Sequence, residues 1–155
     1  MSRQAVLRRG KSKRQVAALP MRRDDRGRLR VLLVTSRDTG RWVLPKGWPI
    51  DGLDPWEAAA VEALEEAGAE GAVANSAIGS YAYGKRLSGG KTLPCRVELY
   101  PMRVKRLHDE WKEVRERQRR WFGPSAAAKR VDEPELRDIL RSLGSKKGEA
   151  VAGLS

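Results

Sequence analysis

Residues 44–69 read LPKGWPIDGLDPWEAAAVEALEEAGA. The second half of this stretch is a helix with both ends marked. Asp54 can cap, Pro55 suits the first helical position because no N–H is needed there, and Glu57 completes a capping box. The run to Ala67 is rich in Ala and Glu, both strong helix formers, and Gly68 is a natural stop. The pattern predicts a helix over residues 55–67, ~20 Å long. Just ahead of it, residues 41–51 (RWVLPKGWPID) are too rich in Gly, Pro and Trp for a helix or a long strand and read as a shaped loop.

Within the helix, Glu62, Glu65 and Glu66 are spaced i, i+3 and i+4, which sets three carboxylates on one face. Such neighbours repel, at a cost of a few tenths of a kcal/mol per pair. The chain is rich in Lys and Arg, yet places no base among them. A divalent cation would turn that repulsion into binding, because Mg²⁺ takes carboxylate oxygens and keeps waters and substrate phosphates as its other ligands. The opposite face carries Ala59, Ala60, Ala63, Leu64 and Ala67, small enough to pack closely on a sheet. Charge runs are usually solvated; the Pro45-Lys46-Gly47 loop in front sets this one apart.

Upstream, residues 14–21 (RQVAALPM) and 31–35 (VLLVT) read as strands, the second apolar throughout as in a strand buried on both faces. The polar turn at residues 22–30 makes them a hairpin or near neighbours. Downstream, residues 73–86 and 92–104 read as one long hairpin about Ser88-Gly89-Gly90, with Cys95, Val97 and Leu99 alternating against Arg96, Glu98 and Tyr100. Residues 110–121 are charged and suit a helix by composition, although Trp121-Phe122 before Gly123-Pro124 also suits the end of a strand. Residues 125–131 and 133–143 read as two short helices. The expected organisation is a basic arm (1–13), one domain (14–143) and a frayed tail (144–155), in α+β or α/β layers.

The chain has 155 residues and a formal charge of +12, which points to an anionic partner. Its one cysteine, Cys95, excludes a disulfide framework, and its one histidine, His108, excludes a multi-histidine metal site. No apolar stretch is long enough to span a membrane, and residues 16–19 are too short for a signal-peptide core. A cytoplasmic protein is expected.

Leu44-Pro45-Lys46-Gly47, taken with Glu62-Ala63-Leu64-Glu65-Glu66-Ala67-Gly68-Ala69, resembles the signature of the Nudix hydrolases. That pattern runs Gly, five residues, Glu, seven residues, Arg-Glu, an apolar residue, any residue, Glu-Glu, any residue, Gly and an apolar residue. Gly47, Glu62, Glu65, Glu66, Gly68 and Ala69 fall in register. Leu53 stands at the first Glu position and Val61 at the Arg position. In the family those two side chains commonly pair as a structural salt bridge. Losing one partner would strand a charge, whereas losing both permits a Leu53–Val61 contact that can be neutral or stabilising. The reading is an apolar replacement of a structural ion pair, with the metal-binding glutamates kept.

The resemblance runs from about Arg14 to Leu140, with Arg14-Gln15-Val16-Ala17-Ala18 resembling the family's first strand. Thr35-Ser36-Arg37, Arg41-Trp42, Trp111 and Arg119-Arg120-Trp121-Phe122 are similar to the branch that acts on diphosphoinositol polyphosphates and dinucleoside polyphosphates. The resemblance implies a Nudix-like α/β/α sandwich with a mixed central sheet. It also implies a Mg²⁺-dependent pyrophosphohydrolase, with Mn²⁺ as a substitute ion. Glu62, Glu65 and Glu66 would be catalytic and would ligate the metal, with Gly47 lending its carbonyl. Glu113, and after it Glu110, are candidates for the acidic residue that the family often adds from a later loop.

Lys46 suits phosphate as a point charge, and Arg14, Arg37, Arg41, Lys85 and Arg86 are further phosphate contacts, guanidinium forks matching phosphate oxygens. Trp42 and Trp48 read as core or rim packing before base stacking. The expected substrate is a small polyphosphorylated molecule. The 5′ end of RNA and a nucleoside triphosphate are alternatives of the same chemistry. A basic nucleic-acid-binding protein with a decayed Nudix box is the alternative of another class; no recognised RNA-binding motif supports it, and an unmetallated carboxylate cluster repels phosphate.

Overall fold

A computed structural model of the chain describes residues 12–145. Eight strands make one mixed sheet among these residues: β1 (Lys13–Arg23), β2 (Leu29–Thr35), β3 (Trp42–Val43), β4 (Lys46–Gly47), β5 (Ala69–Val73), β6 (Gly79–Arg86), β7 (Thr92–Leu107) and β8 (Arg119–Phe122). Its main path runs β3-β2-β1-β7-β5, with β4 on β1, β6 on β7 and β8 on β2. β1 and β7 run parallel and every other pair is antiparallel. The expected basic arm and tail lie almost wholly outside the described residues; Lys13, assigned to the arm, opens β1 opposite Cys95.

Helices cover both faces, which gives the expected three layers. Strand alternation sends Ala17, Leu19 and Met21 of β1 to one side, where they meet α2 (Pro124–Arg130) and α3 (Pro134–Ser142) through Ala127, Ala128, Leu136 and Leu140. Val16 and Ala18 point the other way, onto α1 (Pro55–Ala67). α1 lies close because the face it presents is alanine: Ala58, Ala59, Ala63 and Ala67 are fully buried. Its ends follow the sequence reading. The Asp54 N–H donates to Glu57 Oε1 at 2.8 Å, and Gly68 takes the left-handed conformation at φ 65°, where glycine carries no Cβ penalty. Among the described residues no helix is long and apolar enough to cross a membrane.

Several expectations need correction. The long hairpin is really three strands. β5 is separate from β6, and both pair with one edge of β7, β6 along its first half and β5 along its second. Residues 74–78 step across between them, with the Ala74 N–H on the Pro101 carbonyl and the Ile78 N–H on that of Leu99. The helix suggested for residues 110–121 does not form; turns lead into β8. On α1, Leu64 is 42% exposed and Ala60 is half-buried, so the buried stripe is narrower than expected.

The segment between β7 and β8 stays non-helical because its donors serve another helix. The last turn of α1 leaves carbonyls without an intrahelical partner. The Glu113 N–H donates to Glu65 O at 3.1 Å and Trp111 Nε1 to Glu66 O at 3.0 Å. Arg119 Nη1 donates to Ala67 O at 2.8 Å. α1 has no base in its last turn; this segment brings the cations that suit the negative end of the helix dipole.

Candidate active site

Where β1 parts from β2, the short strands β3 and β4 fill the gap, and a cavity of about 260 Å³ opens there. α1 presents Glu62 and Glu66 to it, β4 presents Lys46 and Gly47, and the 107–119 segment supplies Glu113 and Arg117. The turn after β2 adds Ser36, Arg37 and Asp38, β6 adds Tyr83 and Lys85, and Gln15 enters from β1. Gly47 leaves room for the Glu62 carboxylate, which a side chain at this position would displace.

Charge inside the cavity is unbalanced at close quarters. Burial, then the neighbouring carboxylates of Glu66, Glu65 and Glu113, push the Glu62 carboxyl up to about 7. Burial also raises Glu66, against the opposing pull of Arg117 and Lys46. The Lys46 ammonium is lowered by the same desolvation, with Glu66 acting against it. Arg117 ties the group together. Its side chain is 8% exposed and bonds Glu113 Oε1 at 2.7 Å, stands 3.6 Å from Glu66 Oε2, and donates to the Thr35 carbonyl at 2.9 Å.

The donor set fits one hard divalent ion with two protein carboxylates. Among the described residues no three acidic, imidazole or thiol side chains converge as a cage, because Arg117 holds Glu113 and Lys112 Nζ takes Glu65 at 3.3 Å. Glu62 and Glu66 remain, both destabilised as anions by burial, Glu62 further by the Glu66 carboxylate and Glu66 by that of Glu113. Mg²⁺ is commonly held by one or two carboxylates with the rest of its shell from water and substrate phosphate.

The structure gathers some of the expected residues and separates others. Lys46, Gly47, Glu62, Glu66, Arg37, Lys85 and Glu113 line the cavity. Glu65 and Glu110 do not; they line a separate shallow groove with Leu64, Trp111 and His108. Arg14 lies elsewhere too, paired with Glu98 beside β7. Arg41 and Arg86 belong to a neighbouring cavity that shares Ser36, Asp38 and Tyr83 with the first. There Arg41 Nη1 bonds Glu133 Oε2 at 2.7 Å. Trp42 packs edge-on against Phe122 at 5.2 Å, and Trp48 is 41% exposed with Lys85 Nζ 5.8 Å above its ring. Leu53 is 39% exposed, so it remains largely in solvent, while Val61 is half-buried.

Sequence reasoning missed Gln15, Tyr83 and Arg117. Arg117 is one of several bases in RERQRR, and no local pattern singles it out. Gln15 carried a usable signal, as a lone amide at the head of an otherwise apolar strand.

Comparison with known proteins places this geometry. The NUDIX domain family matches residues 11–143. Nudix hydrolase 13, mitochondrial, of Arabidopsis thaliana is 29% identical over 145 residues, covering 83% of this chain and 70% of the relative. Nudix hydrolase 12, mitochondrial, of the same plant is 32% identical over 102 residues, 61% of this chain and 48% of the relative. Among solved structures, a binary complex of a C. elegans Ap4A hydrolase superposes with a TM-score of 0.59 at 23% identity, covering 91% of this chain and 98% of that one; this likeness concerns the fold.

Proposed function

We propose that this chain, which belongs to the Nudix family of pyrophosphohydrolases, cleaves a phosphoanhydride bond in a small polyphosphorylated substrate, with Mg²⁺ held by Glu62 and Glu66. The substrate is a dinucleoside polyphosphate or a diphosphoinositol polyphosphate. One observation carries the reading: buried Glu66 and half-buried Glu62 share a single cavity with Lys46, Arg37, Lys85 and Arg117. Carboxylates alone would repel a polyphosphate, and cations alone would bind it without a place for a metal.

Water forms a new bond to phosphorus as the bridging P–O bond breaks, and the departing phosphate oxygen keeps the electron pair. Glu62 and Glu66 would hold Mg²⁺, which would supply charge neutralisation on the transferred group and orientation of the water. A carboxylate of this cluster receives the proton that the water gives up. Lys46 and Arg37 hold the phosphate chain, a task suited to point charges and guanidinium forks. Arg117 keeps Glu66 and Glu113 in place. Gly47 lets the β4 backbone pass against Glu62.

The test is phosphate and pyrophosphate release with Mg²⁺ for wild type and Glu66→Gln. The panel holds a diphosphoinositol polyphosphate, a diadenosine polyphosphate, a nucleoside triphosphate and 5′-triphosphorylated RNA. Turnover should depend on Mg²⁺ and fall by about 10²–10⁴-fold in the variant. Folded, metal-supplied protein that turns over none of the four would defeat this reading.

A further inference from the structure

Gln15 is 2% exposed, and its side-chain oxygen Oε1 is buried with no hydrogen-bond partner. Leaving a buried acceptor without a hydrogen bond is costly, and such atoms are few in folded proteins. The atom without a partner is the amide oxygen, so what the side chain offers is an acceptor. Gln15 is one of the residues that line the catalytic cavity. Its neighbour Val16 pairs with Gly47, which places Gln15 next to β4 at the cavity edge. A buried and unpartnered polar group therefore stands in the wall of the cavity where substrate would sit.

We infer that Gln15 reads a neutral hydrogen-bond donor on the organic part of the substrate, a sugar hydroxyl or a base amine, and so selects nucleoside polyphosphates over fully phosphorylated polyols. This rests on the hydrolase reading above. Chemistry sets the class. The cavity already holds cations for phosphate oxygens, and an amide oxygen turned toward phosphate would meet only other acceptors. A neutral acceptor is complementary to O–H or N–H. Position agrees with this. Strand alternation places Gln15 on the sheet face opposite α1, with Ala17 and Leu19, and in register with Val97 and Tyr81. On that side the cavity wall is aromatic: Lys46 Nζ stands 4.1 Å over the Tyr83 ring, and Trp48 lies at the rim under Lys85. The carboxylates thus stand at α1, Lys46 lies between them and Tyr83, and the end with the aromatic wall is at Gln15. A diphosphoinositol pentakisphosphate has every ring hydroxyl esterified and offers this amide no neutral hydroxyl.

The experiment measures kcat/KM for wild type and Gln15→Met, a change close in shape that removes both polar atoms. The probes are diadenosine tetraphosphate, diphosphoinositol pentakisphosphate and inorganic tripolyphosphate. The variant should lose about tenfold to a hundredfold on diadenosine tetraphosphate relative to tripolyphosphate. Its melting temperature should hold or rise, since an unpaired buried polar group has gone. An equal loss on all three probes would mean that the amide serves water or phosphate, and no loss on any would mean that it is structural; either overturns the inference while leaving the hydrolase intact. Wild type inert on every probe would remove the hydrolase reading and this one with it.

A second arm needs no variant. Wild type is compared on diadenosine tetraphosphate, its 2′,3′-dideoxy analogue and diinosine tetraphosphate. A selective loss on the dideoxy analogue identifies the hydroxyl as the donor, and one on the inosine analogue identifies the amine. Equal rates on all three overturn the proposal even if Gln15→Met fails to fold.

Discussion

α1 and the 107–119 segment meet at the same cavity, yet they are specified in opposite ways. α1 is nearly self-sufficient: it caps itself at Asp54 and Gly68 and buries four alanines along one stripe. The segment forms no helix or strand of its own over residues 108–118, between the end of β7 and the start of β8. Its Trp111, Glu113 and Arg119 donors all go to carbonyls of α1. The helix supplies negative charge, and the segment supplies the cations and hydrogen bonds that let this charge stay buried. A local pattern can encode the first kind of element. The second exists only once its partner is in place.

The sharpest way to break this partnership is Arg117→Met. It leaves Glu66 and Glu113 buried without their shared cation and the Thr35 carbonyl without a donor. Losing one side of such a cluster costs about 3–5 kcal/mol, read as a lower midpoint in urea unfolding at pH 8. A loss below about 1 kcal/mol would show that the segment is not what makes the buried carboxylates tolerable.

On the helix side, Gly47→Ala forces the Glu62 carboxylate to move. A displacement near 1 Å costs about 10²-fold in turnover. The melting temperature should change little by comparison, so kcat/KM against Tm separates misplacement from unfolding.

Smaller and reversible is the effect of pH without metal. The Glu62 carboxyl rises from 4.5 to about 7 on folding. The native state therefore holds a proton that the unfolded chain releases, so stability falls as pH climbs from 4.5 through 7. In EDTA the protein should be more stable at pH 5.5 than at pH 8, by on the order of 1 kcal/mol after solvent screening. Millimolar Mg²⁺ should raise the melting temperature at pH 8 and do little at pH 5.5. A flat pH profile in EDTA would contradict the charge imbalance described at α1.

The mildest test concerns Leu53 and Val61. Because Leu53 is 39% exposed, the double change L53E/V61R creates a largely solvated pair worth about 0–1 kcal/mol. Tm should barely move. A severe loss of stability would show that the Leu53–Val61 contact carries more than its exposure indicates.

What could be read from the sequence follows the same division. α1, the β1–β2 hairpin, the pair of late helices and the Nudix resemblance all rest on short-range signals: caps, periodicity and one spaced motif. Residues 110–121 were ambiguous because their hydrogen bonds are spent on a helix about 45 positions earlier. Spacing put Glu62, Glu65 and Glu66 on one face, but it could not foresee that Lys112 would draw Glu65 away from the cavity. Likewise the bases were visible while their partners were not: Glu98 takes Arg14 and Glu133 takes Arg41. Gln15 escaped notice because an orphaned atom appears only after every neighbouring bond has been assigned.

The long strand β7 has a consequence for the order in which the protein is made. β1 lies parallel to it, and Arg14 meets Glu98 across 84 residues of sequence. At about 5–20 residues per second of synthesis, β1 leaves the ribosome on the order of 4–16 s before its partner strand exists. During that interval α1 has already been translated with its caps and its carboxylates, while Gln15 has no β7 beside it. The newborn chain therefore carries the acidic helix before it has a pocket to put it in.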